Sequence, residues 1–129
     1  MEKQVNTSSR PINLDLTRMK FPPMAIISIM HRISGVLLFL LLPFVLYLLH
    51  QSLHSQESFV LLQQTLTSFV MKFFVWVLIS AVCFHFLAGI RHMLMDCGLG
   101  ESVKTARLTA YFIMALEVIV MIFVGVWLW

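Results

Sequence analysis

Polar residues that interrupt long apolar runs are the positions in this chain whose types and spacing could do chemistry. Ser28, His31, Arg32 and Gly35 recur at offsets of three and four, which places them on one stripe of a helix. His85, Gly89, His92 and Asp96 recur at offsets of four, three and four and form a second stripe. A neutral imidazole binds iron through one ring nitrogen while the other is held by a neighbour, and apolar helical bundles hold haem. His85 therefore reads either as a haem-iron ligand or as a histidine hydrogen-bonded to an adjacent helix, and spacing alone does not separate the two. Gly89, one turn further on, would let a flat macrocycle or another helix approach the backbone. Arg32 reads either as a site residue or as a cation snorkelling to lipid phosphate. Glu117 stands near the midpoint of the third apolar run, where it reads as a proton-relay group or as a buried, neutral, hydrogen-bonded carboxyl.

A six-coordinate haem needs a second axial ligand. His92 is on the same helix as His85 at a separation of about 10 Å, His50 and His54 belong to the far end of the first run, and His31 is adjacent to Arg32. None faces His85, so the ligand reading requires a second histidine from a different polypeptide. Thiol-held metal is not expected, because no CxxC pair or Cys/His cluster with zinc spacing is present. Cys83 and Cys97, about 21 Å apart along one helix, cannot bridge each other.

The elements that must position these groups follow from composition. Of the residues, 60% are hydrophobic and 12% charged, a balance found in membrane proteins rather than soluble domains. Three apolar stretches, residues 24–49, 67–95 and 108–129, each exceed the roughly 20 residues that cross a hydrocarbon core of about 30 Å. The expected fold class is all-α: an integral membrane bundle of three transmembrane helices covering residues 24–129, preceded by an N-terminal segment, residues 1–23. Pro22 and Pro23 precede the first span, and Pro43 predicts a kink in its second half rather than an end. The segment before the first span contains Glu2 and Asp15 and has no apolar stretch followed by a small-residue cleavage site, so neither a signal peptide nor a transit peptide is expected. The connection 51–66 is polar with an apolar patch at Phe59 to Leu62 and reads as a loop or a short interfacial helix.

Lys3, Arg10, Arg18 and Lys20 precede the first span, and Arg91, Lys104 and Arg107 flank the second connection, against Lys72 alone on the opposite side. The expected orientation therefore has the N-terminus cytoplasmic and the C-terminus outside. The same distribution explains the net charge of +3 by lipid head groups rather than nucleic acid. Arg32, about 12 Å into the first span, and His85, about 15 Å inside the exit of the second, then lie at similar depths toward one face, which suggests one shared site. Tyr47, Trp76, Trp127 and Trp129 fall where aromatic anchors sit.

Two ordered motifs now carry a resemblance. Arg10-Pro11-Ile12 followed by Ser28-Ile29-Met30-His31-Arg32-Ile33-Ser34, and His85-Phe86-Leu87-Ala88-Gly89-Ile90-Arg91-His92-Met93-Leu94-Met95-Asp96, resemble the two signatures of the succinate dehydrogenase cytochrome b family, the larger membrane anchor subunits of respiratory complex II. With three spans at similar spacing, the resemblance extends over nearly the whole chain. It implies that His85 is an axial ligand of haem b, with the other ligand a histidine of a second small anchor subunit. It further implies that Ser28 and Arg32 hydrogen-bond a quinone near the iron–sulfur subunit and that His31 and Arg32 border the haem propionates. These roles are chemically reasonable, because a serine donates to a quinone carbonyl and an arginine stabilises a developing quinol oxyanion. Asp96 joins that polar network or caps the helix end, and Arg91 and His92 match the motif as propionate or head-group contacts. Glu117 belongs to neither motif.

The function this implies is a multi-pass anchor in the bacterial inner membrane. It would hold flavoprotein and iron–sulfur subunits and supply half of the haem ligation and part of the quinone-reduction pocket. No GxGxxG fingerprint or cluster-binding cysteines appear, so the chain is not expected to oxidise succinate itself. Alternatives are a small ion or proton transporter using Arg32, Glu117 and the histidines, or a scaffold subunit without a redox role. Fumarate reductase, which runs the chemistry in reverse, shares the architecture; the motifs favour the succinate direction.

Overall fold

A computed structural model describes residues 20–129. Residues 1–19, and with them Lys3, Arg10, Arg18 and the Arg10-Pro11-Ile12 motif, lie outside the described residues. Helix α1 spans Pro23–His54, α2 Gln56–Leu66, α3 Phe69–Asp96 and α4 Val103–Leu128, and no strand occurs among the described residues. Three of the four, α1, α3 and α4, are long and apolar enough to cross a membrane. The chain is thus a multi-pass, all-helical membrane protein.

Helix ends are set by capping chemistry, which explains where they depart from the hydropathy boundaries. Helix α1 begins with Pro23 in its first turn after Pro22 in an extended conformation, where the missing N–H costs nothing. It continues through Pro43 as one helix and runs on past residue 49 to His54, since the residues that leave the apolar run are still helix-compatible. Ser55 stops it. Extended at φ −160° and ψ 164°, this residue is at once the C-cap of α1 and the N-cap of α2. Its hydroxyl accepts from the Ser58 N–H at 3.1 Å, and the Ser58 hydroxyl accepts from the Ser55 N–H at 3.0 Å, a reciprocal capping box. The first connection is therefore the short helix α2, which buries none of its residues. Helix α4 starts at Val103, ahead of residue 108, because Ser102 caps it by accepting from the Thr105 N–H at 3.2 Å.

The C-terminus of α3 closes in a Schellman arrangement. Gly98, at φ 80°, donates to Met95 O at 2.9 Å and Leu99 to Leu94 O at 2.9 Å, a conformation that a residue with a Cβ adopts at a cost. Gly98, not Asp96, is thus what ends this helix.

Helix α3 packs against both α1 and α4. The core is small, formed by Ile27 of α1, Phe84 and Ala88 of α3, and Ala110 and Ile113 of α4, with Leu87 and Met114 beside it. Alanines at 81, 88, 106 and 110 are buried and let the helices approach closely, as is usual where lipid removes the hydrophobic drive between helices. Directional hydrogen bonds add to this. The Trp76 indole N–H donates to Met121 O at 2.9 Å, so Trp76 bridges α3 to α4 rather than serving only as a membrane anchor, whereas Tyr47, Trp127 and Trp129 are exposed. Most large apolar side chains face outward, among them Phe39, Phe123 and Val126 at 73%, 71% and 78% exposure.

Candidate functional site

The first two spanning helices meet through a pair of reciprocal seats. His85 of α3 lies over Gly35 of α1, where a Cβ would stand 3.0 Å from the His85 Cε1. His31 of α1 lies over Gly89 of α3, where a Cβ would stand 3.4 Å from the His31 Nε2. Each helix thus supplies an imidazole and the glycine that receives the other's. The two rings stack at a centroid distance of 4.1 Å and an interplanar angle of 21°. His92, two turns beyond His85, meets the far side of the cluster, with its ring 5.2 Å from that of His31 and tilted by 48°. Gly89 therefore admits a neighbouring helix, the second of the two approaches its position allows.

His85 is fixed through its Nδ1, which lies 3.0 Å from the Ser34 hydroxyl and 3.2 Å from the His31 carbonyl oxygen. Its Nε2 has no hydrogen-bond partner among the described residues. Ser34 also donates to the His31 carbonyl at 2.8 Å and is buried. The His31 Nε2 is buried without a partner.

This donor set suits one axial position of a haem. One nitrogen of His85 is anchored to the protein and the other is uncommitted, while His31 lies face-to-face with His85 and so cannot oppose it across a metal. No group of three or more His, Cys, Asp or Glu side chains among the described residues converges on a metal position. Spacing places no histidine of this chain facing His85; the structure corrects this, since His31 is stacked directly on it.

The remaining candidates separate. Ser28 is half-buried and Arg32 exposed near the start of α1, one helical turn apart. His31 turns inward to α3 while its neighbour Arg32 does not, so the stripe divides into an inner and an outer part. Asp96 is exposed at the last position of α3. Arg91 is 6% exposed and is committed to α4, its Nε donating to Thr109 Oγ1 at 3.1 Å and its Nη2 to Ala106 O at 3.0 Å. This places its guanidinium at the α3–α4 contact rather than with the histidines.

Glu117 is buried with its Oε2 unpartnered, as is the Ser80 hydroxyl. Both line a groove of about 240 Å³ between α1, α3 and α4 that also includes Ser34 and Phe84. No partner for the buried Glu117 carboxyl is found within the described residues. Ser34 and Ser80 carried no signal of their own in the apolar runs, although Ser34, directly before Gly35 and three residues after His31, closes the first motif.

Comparison with known proteins agrees with this architecture. Residues 6–124 match the family described as succinate dehydrogenase/fumarate reductase transmembrane subunit. The chain is 50% identical over 123 residues to the succinate dehydrogenase cytochrome b556 subunit of Coxiella burnetii, covering 95% of this chain and 98% of that one. It is 31% identical over 113 residues to the succinate dehydrogenase cytochrome b560 subunit of Reclinomonas americana, covering 84% and 78%. To the cytochrome b556 subunit of Rickettsia prowazekii it is 26% identical over 117 residues, covering 91% of each chain. With both motif histidines facing each other across α1 and α3, and with relatives matched along almost its full length, this chain belongs to the family of succinate dehydrogenase and fumarate reductase transmembrane subunits.

Proposed function

We propose that this chain anchors a succinate:quinone oxidoreductase in the bacterial inner membrane, with His85 as one axial ligand of a haem b and Ser28 and Arg32 in a quinone-reduction pocket. The observation that carries the reading is the state of His85, tied to α1 through Nδ1 with Nε2 left over. The cytochrome b names of the matched relatives support the haem. Bound haem b supplies a one-electron carrier within the membrane; the chain's own residues hold and orient. His31, stacked on His85, restricts rotation of that ring, and with Arg32 and His92 would offer cationic or hydrogen-bonding groups to haem propionates. The Ser28 hydroxyl donates to a quinone carbonyl, and the exposed Arg32 guanidinium stabilises negative charge developing on the quinone oxygen. Asp96, at the same end of the bundle as the start of α1, adds an acceptor to that polar edge. Arg91 is left out, because its guanidinium is engaged on α4.

The N-terminal segment and the α3–α4 connection then face the cytoplasm, where an iron–sulfur subunit delivers electrons and a flavoprotein subunit oxidises succinate. A second small anchor subunit supplies the opposing histidine. The test is purification with co-expressed partner subunits, followed by the reduced-minus-oxidised spectrum and succinate:quinone reductase activity. A b-type band that disappears in His85→Ala is expected, together with quinone reduction impaired about 10-fold or more in Ser28→Ala and Arg32→Ala, with all subunits still present. Absence of haem from the wild-type complex, or unchanged quinone kinetics in both pocket variants, overturns the corresponding assignment.

A further inference from the structure

The Ser34 hydroxyl has one proton and two neighbours that could receive it, the His31 carbonyl oxygen at 2.8 Å and the His85 Nδ1 at 3.0 Å. The carbonyl can only accept, and it is the nearer of the two. With the hydroxyl proton directed there, the Ser34 oxygen presents a lone pair to Nδ1. The second neighbour of Nδ1, the same His31 carbonyl at 3.2 Å, also offers only lone pairs. A bare Nδ1 would face two acceptors at hydrogen-bond distance, whereas a protonated Nδ1 satisfies both. In a neutral imidazole the proton on one nitrogen leaves the other as the acceptor, so this environment specifies Nδ1–H and puts the lone pair on Nε2. Ser34 is 6% exposed, so bulk water does not compete for these bonds.

From this arrangement we infer that Ser34 is the positioning residue of the haem ligand: its hydroxyl, oriented by the His31 carbonyl, fixes the tautomer of His85 and strengthens Nε2 as an electron donor. The inference rests on His85 being the axial ligand proposed above. A hydrogen bond accepted from the remote N–H of a ligating imidazole fixes ring orientation and raises ligand basicity. A more basic ligand favours ferric over ferrous iron, so Ser34 holds the haem midpoint potential down. Ser34 and Gly35 act as neighbours in this respect, one supplying the acceptor and the other the space for the ring.

The experiment is a spectroelectrochemical titration of the haem in the complete complex, comparing wild type, Ser34→Ala and Ser34→Thr. The expected result is a midpoint shifted to higher potential in Ser34→Ala with haem content retained, and return toward the wild-type value in Ser34→Thr, which restores the hydroxyl. A purely structural serine would not move the potential in this signed, hydroxyl-dependent way. An unshifted potential in haem-replete Ser34→Ala overturns the inference while leaving ligation by His85 intact. Because Ser34→Ala could fail to assemble, pulsed paramagnetic resonance on the wild-type complex with ¹⁵N-labelled histidine provides a second measurement. A remote ligand nitrogen bearing an exchangeable proton is expected, and an unprotonated one overturns the inference. A wild-type complex without haem overturns both this and the ligation reading.

Discussion

Gly35 and Gly89 look equivalent as small residues in apolar helices, yet the two seats differ in tightness. At Gly35 an added methyl would come within 3.0 Å of the His85 ring, against 3.4 Å from the His31 ring at Gly89. Alanine favours a helix over glycine by about 1 kcal/mol, and overpacking a close contact costs about 1–3 kcal/mol. Gly35→Ala is therefore expected to lower the thermal midpoint of the complex and to alter the haem absorption bands, while Gly89→Ala leaves both near wild type; visible spectra recorded through a thermal ramp check the pair. At this scale the sequence was partly legible. His85, His31, Gly35 and Gly89 stand out because their periodicity breaks an apolar run, and the structure brings all four together. The direction of each side chain was not legible, because a stripe defined by offsets of three and four spans much of a helix circumference. Arg32 and His31 are neighbours in sequence and point differently, and Arg91, which shares a motif with His85, serves another helix pair.

Among the elements, the α3–α4 pair is joined near both ends by side chains reaching a backbone carbonyl, Trp76 to Met121 and Arg91 to Ala106. Interhelical hydrogen bonds of this kind contribute about 0.6 kcal/mol each and up to about 1.7. Arg91→Ala removes two of them and a buried side chain, so its expected effect is a stability loss of about 1–2 kcal/mol with the haem spectrum unchanged. Trp76→Phe removes one, at about 0.6 kcal/mol. Thermal denaturation of the two variants, followed beside the haem bands, distinguishes a helix clip at Arg91 from a contact with the haem. Hydropathy located the three spans because burial in lipid selects apolar composition. The helices run beyond the apolar stretches at the end of α1 and the start of α4, because caps rather than polarity stop a helix: Ser55 and Ser102 do so there. The register between helices depends on carbonyls such as Met121 O, which no side-chain pattern reveals.

At the scale of the whole molecule, the three spans cover one another unequally. In the most apolar stretch of α1 only 6% of residues are buried, against 22% for α3 and 17% for α4, so α1 leaves the most surface for lipid or for a partner subunit. The unequal loading of basic residues gives an orientation that can be measured independently of any cofactor. A reporter active only outside the cytoplasm is expected to be active when fused after Trp129 and inactive when fused in the α3–α4 connection; the reverse pattern would invert the assigned topology. The interlocked glycines and histidines of α1 and α3 also bear on assembly. A slide of either helix by one residue would drive a side chain into an imidazole, so the two helices have one way to close. The ring of His85 is thus oriented by contacts within this chain alone. If His85 is the ligand proposed above, haem would meet a half-site whose shape this subunit already holds through its own helix contacts.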